Sequence, residues 1–432
     1  MTTLTNGILL LYNHPMFKNA STILEHVHAF EYHSRFKVWS VNTESGFPSH
    51  LENIEFQVIV LHYSLFGWYP FGIPEQLLTY IQKSKTSYKI AFFQDEHHYW
   101  PQRSAFLNDY KIDCVYTLLE PEYLKNTYQK HTIVQKYVYA LPGYVSDDLI
   151  EIGKKFTKPG KLRKIDIGYR GRQLPYYMGM GAQEKEEIGT RFLKNAANLG
   201  LYLAIETKET KRIYGLNWYK FLANCRAVLG VETGVSVFDI DNIVYPAYEQ
   251  LITHNPNISF NEVYNNLLIP HEDKIYYRTI GPRHFEASAL RVTQILYEGK
   301  YSGIMKPMVH YIPLKKDFSN FDDVIYMFRD KTLRCELTEN AYRDLIISGL
   351  YSYRRFIDEF DQDLLRLGFE PTISDKDVRL VNNLLKKDYI YRIAFGYYYS
   401  FRYKYAFPGR SVVYLIYHYL MNIFYTIKNL FK

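Results

Sequence analysis

Cysteine is scarce: Cys114, Cys225 and Cys335 are the only three in 432 residues, far apart and without metal-ligand spacing. That excludes a disulfide framework and gives no sign of a zinc site. The first residues, MTTLTNGILLLYNHP, lack a basic leader region, and their apolar run is too short for a signal peptide. They are expected to form a first buried strand in a cytoplasmic protein. No internal repeat at solenoid periods is visible. No uninterrupted apolar run is long enough for a spanning helix, the best C-terminal candidate being broken by His418 and Asn422. With 47% apolar and 22% charged residues the chain is folded rather than disordered.

What is abundant is aromatic: 17% of the residues, including 43 tyrosines. The formal charge of +7 is concentrated at one end, because from Leu385 onward eight basic residues face one acid, Asp388, and the rest is formally neutral. Tyr389 to Phe407 interleaves ten aromatics with Arg392, Arg402 and Lys404. Tyrosine, arginine and lysine beside apolar anchors are the composition of a segment lying on an anionic membrane surface. Packing on the chain itself or on a second subunit, making a homo-oligomer, is the other reading. Stacking on single-stranded nucleic acid is disfavoured by the neutral body and the missing RNA-binding signature.

The first third alternates buried strands with helices: Gly7–Tyr12, Phe36–Val41, Gln57–His62 and Tyr88–Phe93 read as strands, Asn19–Tyr32 and Ile73–Lys83 as helices. Such alternation implies a parallel sheet covered on both faces, with ligands at the carboxyl ends of its strands. There the densest ionisable cluster is Asp95, Glu96, His97 and His98. A histidine beside a carboxylate is a candidate general base. The two adjacent rings, on an extended segment, are expected to point to opposite sides, which disfavours a metal site.

Lys154–Lys164 is polar, basic and contains Pro159-Gly160, and reads as a linker. A second α/β pattern follows. Ile165–Tyr169 is a strand ending in Arg170-Gly171-Arg172, whose glycine and guanidinium groups suit a diphosphate. Ala227–Ser236 reads as a strand ending in a glycine-rich loop that presents Glu232, and Asp239–Glu272 as a largely helical insertion. Gly281-Pro282-Arg283 then leads into a helix expected to begin near Phe285, with Glu286 in its first turn, where an acid can accept ligand hydroxyls and Arg283 can attract phosphate. The organisation expected is 1–150, 160–335, helices over 336–388 and the tail 389–432.

Pro282, Arg283, Phe285, Glu286, Ala287 and Ala289 follow the pattern PR-x-FE-A-x-A, and with the two α/β halves the chain resembles GT-B glycosyltransferases with a group 1-type C-terminal domain, enzymes of bacterial surface-polysaccharide synthesis. The resemblance implies two Rossmann-like domains, and the C-terminal helical, aromatic-basic tail lies outside it. It implies that Glu286 holds the ribose of a nucleotide-sugar donor and that Arg170 and Arg172 lie near its diphosphate. Lys306 joins them as a candidate to stabilise that leaving group in place of a divalent metal, with no cofactor required. A glycan or lipid-linked acceptor would bind the first domain, and the tail would hold the enzyme on the inner face of the membrane. The chain departs from paired-glutamate members at Arg278, where they have glutamate, and at Ala289–Thr293, where they have Ala-Cys-Gly-Thr-Pro. Sugar and stereochemistry therefore stay open. A nucleotide-sugar epimerase and a non-catalytic nucleotide- or glycan-binding protein are the rival readings.

Overall fold

A computed structural model describes residues 3–14 and 22–387. The aromatic-basic tail from residue 389, and with it the membrane reading, lies outside the described residues. The chain divides into two compact units, residues 1–92 with 361–432, and residues 93–360.

In the first unit, β1 (Thr3–Tyr12) is followed by α1 (Thr22–His33), β2 (Val38–Asn42), β3 (Ile54–Leu61), α2 (Glu75–Lys83) and β4 (Tyr88–Phe92). The strands lie in the order β2-β1-β3-β4, all parallel. Near-continuous apolar runs make this possible: Ile8 to Leu11 and Val58 to Leu61 are fully buried, as strands covered on both faces must be. The register of β1 on β3 shifts between Thr5 and Ile8. Gly7 sits there with φ +135°, and a β-carbon on it would lie 2.7 Å from the Trp39 ring. The returning segment is tied to this unit by polar contacts. Asp361 accepts from Ser34 Oγ at 2.8 Å, Glu370 O from Gln57 Nε2 at 3.2 Å and Asn382 Oδ1 from Trp39 Nε1 at 3.0 Å.

The second unit opens with α3 (Trp100–Asp109), β5 (Cys114–Thr117), α4 (Tyr128–His131), β6 (Lys136–Tyr139) and α5 (Asp147–Phe156). Strands β5 and β6 pair in parallel. Its larger sheet is built from β7 (Ile165–Arg170), α6 (Met180–Asn195), β8 (Leu203–Glu206), α7 (Leu216–Asn224) and β9 (Cys225–Gly230). Next come β10 (Thr233–Val237), α8 (Val244–His254), α9 (Phe260–Val263), β11 (Glu272–Thr279), α10 (Pro282–Ala289), β12 (Thr293–Tyr297) and β13 (Ile312–Leu314). The unit's last helices are α11 (Phe321–Arg329), α12 (Lys331–Ala341) and α13 (Tyr353–Arg366), the last of which runs across the division at residue 360. The larger sheet has the order β13-β12-β9-β7-β8 and is parallel throughout. Each unit is thus α/β with a parallel sheet, as expected.

Three local expectations are corrected. Residues 154–164 are not a free solvated linker: α5 runs to Phe156, and Arg163 is buried with its guanidinium donating to the carbonyls of Lys158, Cys225, Leu290 and Arg291 at 2.8–3.0 Å. A buried guanidinium is tolerated because carbonyl oxygens replace its water. The segment after Glu232 is a strand rather than a loop, because β10 pairs antiparallel with β11, Thr233 opposite Thr279. Helix α10 begins at Pro282, where proline's missing N–H costs nothing, so Glu286 stands in its second turn. Among the described residues no helix is long and apolar enough to cross a membrane.

Candidate functional site

Strand order in the larger sheet reverses between β7 and β9, and a doubly wound sheet places its ligand crevice at that switch point. The cavity found there, about 220 Å³, collects the ends of both strands: Arg170 to Arg172 after β7, and Gly230 to Thr233 after β9. Lys185 of α6, Arg212, Trp218 of α7, and Arg283 and His284 of α10 complete its polar wall. Five cationic side chains therefore surround one acid, Glu232.

Not all five cations are equivalent. Arg170 stacks its guanidinium 4.3 Å from the Phe221 centroid and donates Nη1 to the carbonyls of Tyr169 and Ala204 at 2.6 Å, so it forms wall as much as binding group. Arg212 is paired with Glu209 at 2.9 Å. Arg283 donates to Arg170 O and lies 5.2 Å from the Trp218 ring, while Arg172 is exposed at the rim. Lys185 donates to Gly234 O at 3.0 Å. Burial first, then Arg172 and Arg283, bring its ammonium down to about 8, against the pull of Asp95 and Glu184. Gly171 owes its identity to packing: a β-carbon there would collide with Lys185 O and the Tyr169 ring.

Helix N-termini commonly bind phosphate, but here the first turns are occupied. In α6, Met180 N–H donates to Glu272 at 3.1 Å and Gly181 N–H to Ser236 Oγ at 2.7 Å. In α10, Gly281 N–H donates to His284 Nδ1 at 3.0 Å. The same Nδ1 lies 3.1 Å from Gly281 O, so the ring is fixed on the residue that caps its own helix. Burial lowers His284 to about 4, so at neutral pH it is an uncharged ring in the cavity wall.

The two carboxylates singled out in the sequence have protein partners. Glu232 accepts from Tyr276 OH and, at 2.7 Å, from Tyr301 N–H. Glu286 accepts from the Trp218 indole at 2.7 Å, so it reaches the site through Trp218. Lys306 is exposed and stands apart from the cavity lining.

The segment Asp95 to His98 is a turn rather than an extended strand end, with Asp95 at φ +52°. In consequence His97 and His98 do not point apart but stack, centroids 4.5 Å apart and planes 4° from parallel. Glu96 is wholly buried and accepts from Thr117 Oγ1 at 2.7 Å, Leu118 N–H at 2.8 Å and Tyr128 OH. Its N–H donates to Tyr277 OH at 3.1 Å, and burial pushes its carboxyl up. Glu96 therefore organises the loop, and Asp95 alone of the four is exposed. Burial also lowers His97 and His98 to about 3. Lys185 is one of the charges lowering His97, and Asp95 one of those raising Lys185, so loop and cavity lie within electrostatic reach.

Among the described residues no group of three or more histidine, cysteine or carboxylate side chains is placed to hold a metal ion. Sequence reasoning missed Lys185, Arg212, Trp218 and His284. Lys185 sits in the run Gln183-Glu184-Lys185-Glu186-Glu187, which looks like a solvated helix face, and His284 occupies the variable position of the PR-x-FE pattern.

The buried imidazoles make stability depend on pH. His26 and His97, for example, stay neutral in the fold down to about 3, below the ordinary 6.5, and His62 is lowered as well. Their contribution is complete above pH 6.5 and is lost as pH falls from 6.5 toward 3, because the unfolded chain takes up protons first. Each ring costs about 1.4 kcal/mol per pH unit in that window. The buried carboxyls Glu96, Glu184 and Glu272 are raised and act in the opposite sense over part of it. Tm is expected to fall between pH 6.5 and 4.5, and a Tm flat over that range would contradict the burial of these rings.

The fold and site define a two-unit α/β protein with a cation-walled crevice at a switch point. No family model matches the chain, and no curated protein sequence matches it. Among solved structures it is similar to sucrose-phosphate synthase from Thermosynechococcus elongatus, at 11% identity, TM-score 0.47, over 84% of this chain and 99% of that one. An alpha-glucosyltransferase in complex with UDP-glucose and DNA containing an abasic site gives 10% identity and TM-score 0.46, over 84% and 100%. HepE from Anabaena in complex with UDP-glucose gives 10% and 0.45, over 84% and 99%. Identities this low and TM-scores below 0.5 transfer neither ligand nor reaction to this chain.

Proposed function

We propose that the chain is a glycosyltransferase of the GT-B type that takes sugar from a nucleotide-sugar and passes it to a glycan or lipid-linked acceptor in bacterial surface-polysaccharide synthesis. The observation that carries this is the gathering of Arg170, Arg172, Lys185, Arg212 and Arg283 around one small cavity at the switch point, with its single acid already tied to Tyr276 and Tyr301. Such a wall suits a diphosphate, whose charge it would neutralise as the bond to the sugar breaks, in the role a divalent metal has elsewhere. Arg283 and Trp218 offer a planar cation and a ring beside it for the nucleoside.

The loop is assigned to the acceptor hydroxyl through Asp95, its exposed member, with buried His97 behind it as the candidate base. A base of pKa near 3 is weak, and the negative charge of a donor bound at Lys185 would raise His97. The location on the inner membrane face rests on the sequence of the tail alone.

Thermal stabilisation across a panel of nucleosides, monophosphates and diphosphates tests the reading. A nucleoside diphosphate at a hundred times its Kd is expected to add about 2.7 kcal/mol of stability, the parent nucleoside much less. A panel in which no nucleotide raises Tm would overturn the donor site. Hydrolysis or transfer of the matching nucleotide-sugar then separates an enzyme from a binding protein.

A further inference from the structure

One group of side chains has no part in the donor site: the aromatic loop after β3, in the first unit. Trp68 and Tyr69 are 65% and 51% exposed, which is unusual for large rings. The loop that carries them is built rather than loose. Leu65 and Phe66 at its base are fully buried, and Gly72 N–H closes it on Leu65 O at 2.8 Å. Asn13, just after neighbouring β1, donates its backbone N–H to Ser64 Oγ at 3.0 Å and its Nδ2 to Gly72 O at 3.4 Å. Phe71 stands edge-on to buried Phe66 at 5.2 Å, and Tyr69 edge-on to Phe71 at 5.4 Å. A ladder of rings thus runs from the core to the surface and holds Tyr69 in place.

The loop lies at the carboxyl end of a parallel sheet, the edge at which such sheets bind ligands. Charge decides what kind. From Phe56 to Gln82, along β3, the loop and α2, there is no lysine or arginine, and the one acid is Glu75. That composition offers anionic lipid and phosphate no cation, and leaves an uncharged ligand with an apolar face and polar edges. A sugar ring in its chair form has that shape: axial C–H bonds on one face for an aromatic ring, hydroxyls at its rim for Asn13 and its neighbours. Preorganised rings also bind at low entropic cost.

We propose that Trp68 and Tyr69 form a stacking platform for a ring of a neutral glycan, and so that the acceptor of the transfer is an uncharged oligosaccharide chain. The second half of this statement rests on the glycosyltransferase reading. The test titrates the full chain with neutral oligosaccharides of glucose, N-acetylglucosamine and rhamnose, followed by saturation-transfer NMR. At least one is expected to bind, Trp68→Ala to weaken it about tenfold, and Trp68→Phe to recover part of the loss. Because both rings are largely exposed, neither variant should alter Tm, and Tyr69→Ala provides a second measurement.

Binding by none of the three, or binding unchanged in both alanine variants, overturns the platform. So does Trp68-dependent sedimentation with phosphatidylcholine and phosphatidylglycerol vesicles in the absence of glycan binding, which would make the loop a membrane contact. The nucleoside diphosphate shift, measured on the same Trp68→Ala protein, keeps the two readings apart. If that shift is missing while glycan binding depends on Trp68, the donor site falls and the platform stands; if the shift is present and glycan binding ignores Trp68, the reverse holds.

Discussion

Lys185→Met is expected to reduce sugar transfer on the order of a hundredfold or more and to remove most of the Tm gain from a nucleoside diphosphate, while leaving the ligand-free protein as stable as before. The reason lies in its position. Lys185 reaches the cavity from α6 with one bond to Gly234 O, and burial together with Arg172 and Arg283 already disfavours its charge. A diphosphate relieves that strain between like charges, so it is worth more at Lys185 than at the solvated Arg172. Replacing an ammonium held near 8 by an apolar side chain of similar length costs the empty protein little. The same value sets a pH signature: diphosphate affinity should fall as pH rises from 7 to 9 in the natural protein, and much less in Lys185→Met. Equal affinities of the two proteins at pH 7 would show that the phosphates lie elsewhere.

Glu96→Ala is expected to behave differently, losing on the order of 3 kcal/mol of stability, seen as a large drop in Tm. Glu96 accepts from Thr117, Leu118 and Tyr128, meets Tyr277, and offsets the charge of buried Arg103. Removing it strands those donors in a dry interior and leaves the Arg103 charge less well offset. Glu96→Gln keeps the shape and most acceptor capacity and should cost much less. His97→Ala lacks any such network and is expected to fold normally, so an activity loss there reports on chemistry or acceptor placement. If Glu96→Ala kept the natural Tm and lost only activity, Glu96 would be a catalytic residue and not the organiser of its loop.

Much of the fold was legible. Continuous runs such as QVIVLH and the alternation with amphipathic helices read as buried parallel strands, and β1, β3, β4, β7 and β9 lie where those runs are. The turn Arg170-Gly171-Arg172 was legible as a place at a sheet edge for the same reason: it follows a strand, and it lines the cavity there. Position within a turn was less so. Glu286 was placed one turn too early because Pro282, an N-terminal helix residue, was read as part of the preceding loop. The β10–β11 ribbon was hidden because its two strands are separated by the helical insertion, and antiparallel pairing at that distance leaves no local period.

By itself, then, the sequence determined the local elements and which residues stand at strand ends, since both depend on spacing and on backbone preferences within a few residues. The tertiary structure decided which charges act together. Lys185, Arg212, Trp218 and Arg283 come from four separate segments and share one cavity only because α6, α7 and α10 converge on one sheet edge. It also decided which charges are already spoken for. Glu232, Glu286 and Glu96 look alike as isolated acids, but Tyr276, Trp218 and Tyr128, each more than thirty positions away in the chain, hold their oxygens. Burial and partner choice are long-range quantities, and no spacing rule within one segment contains them.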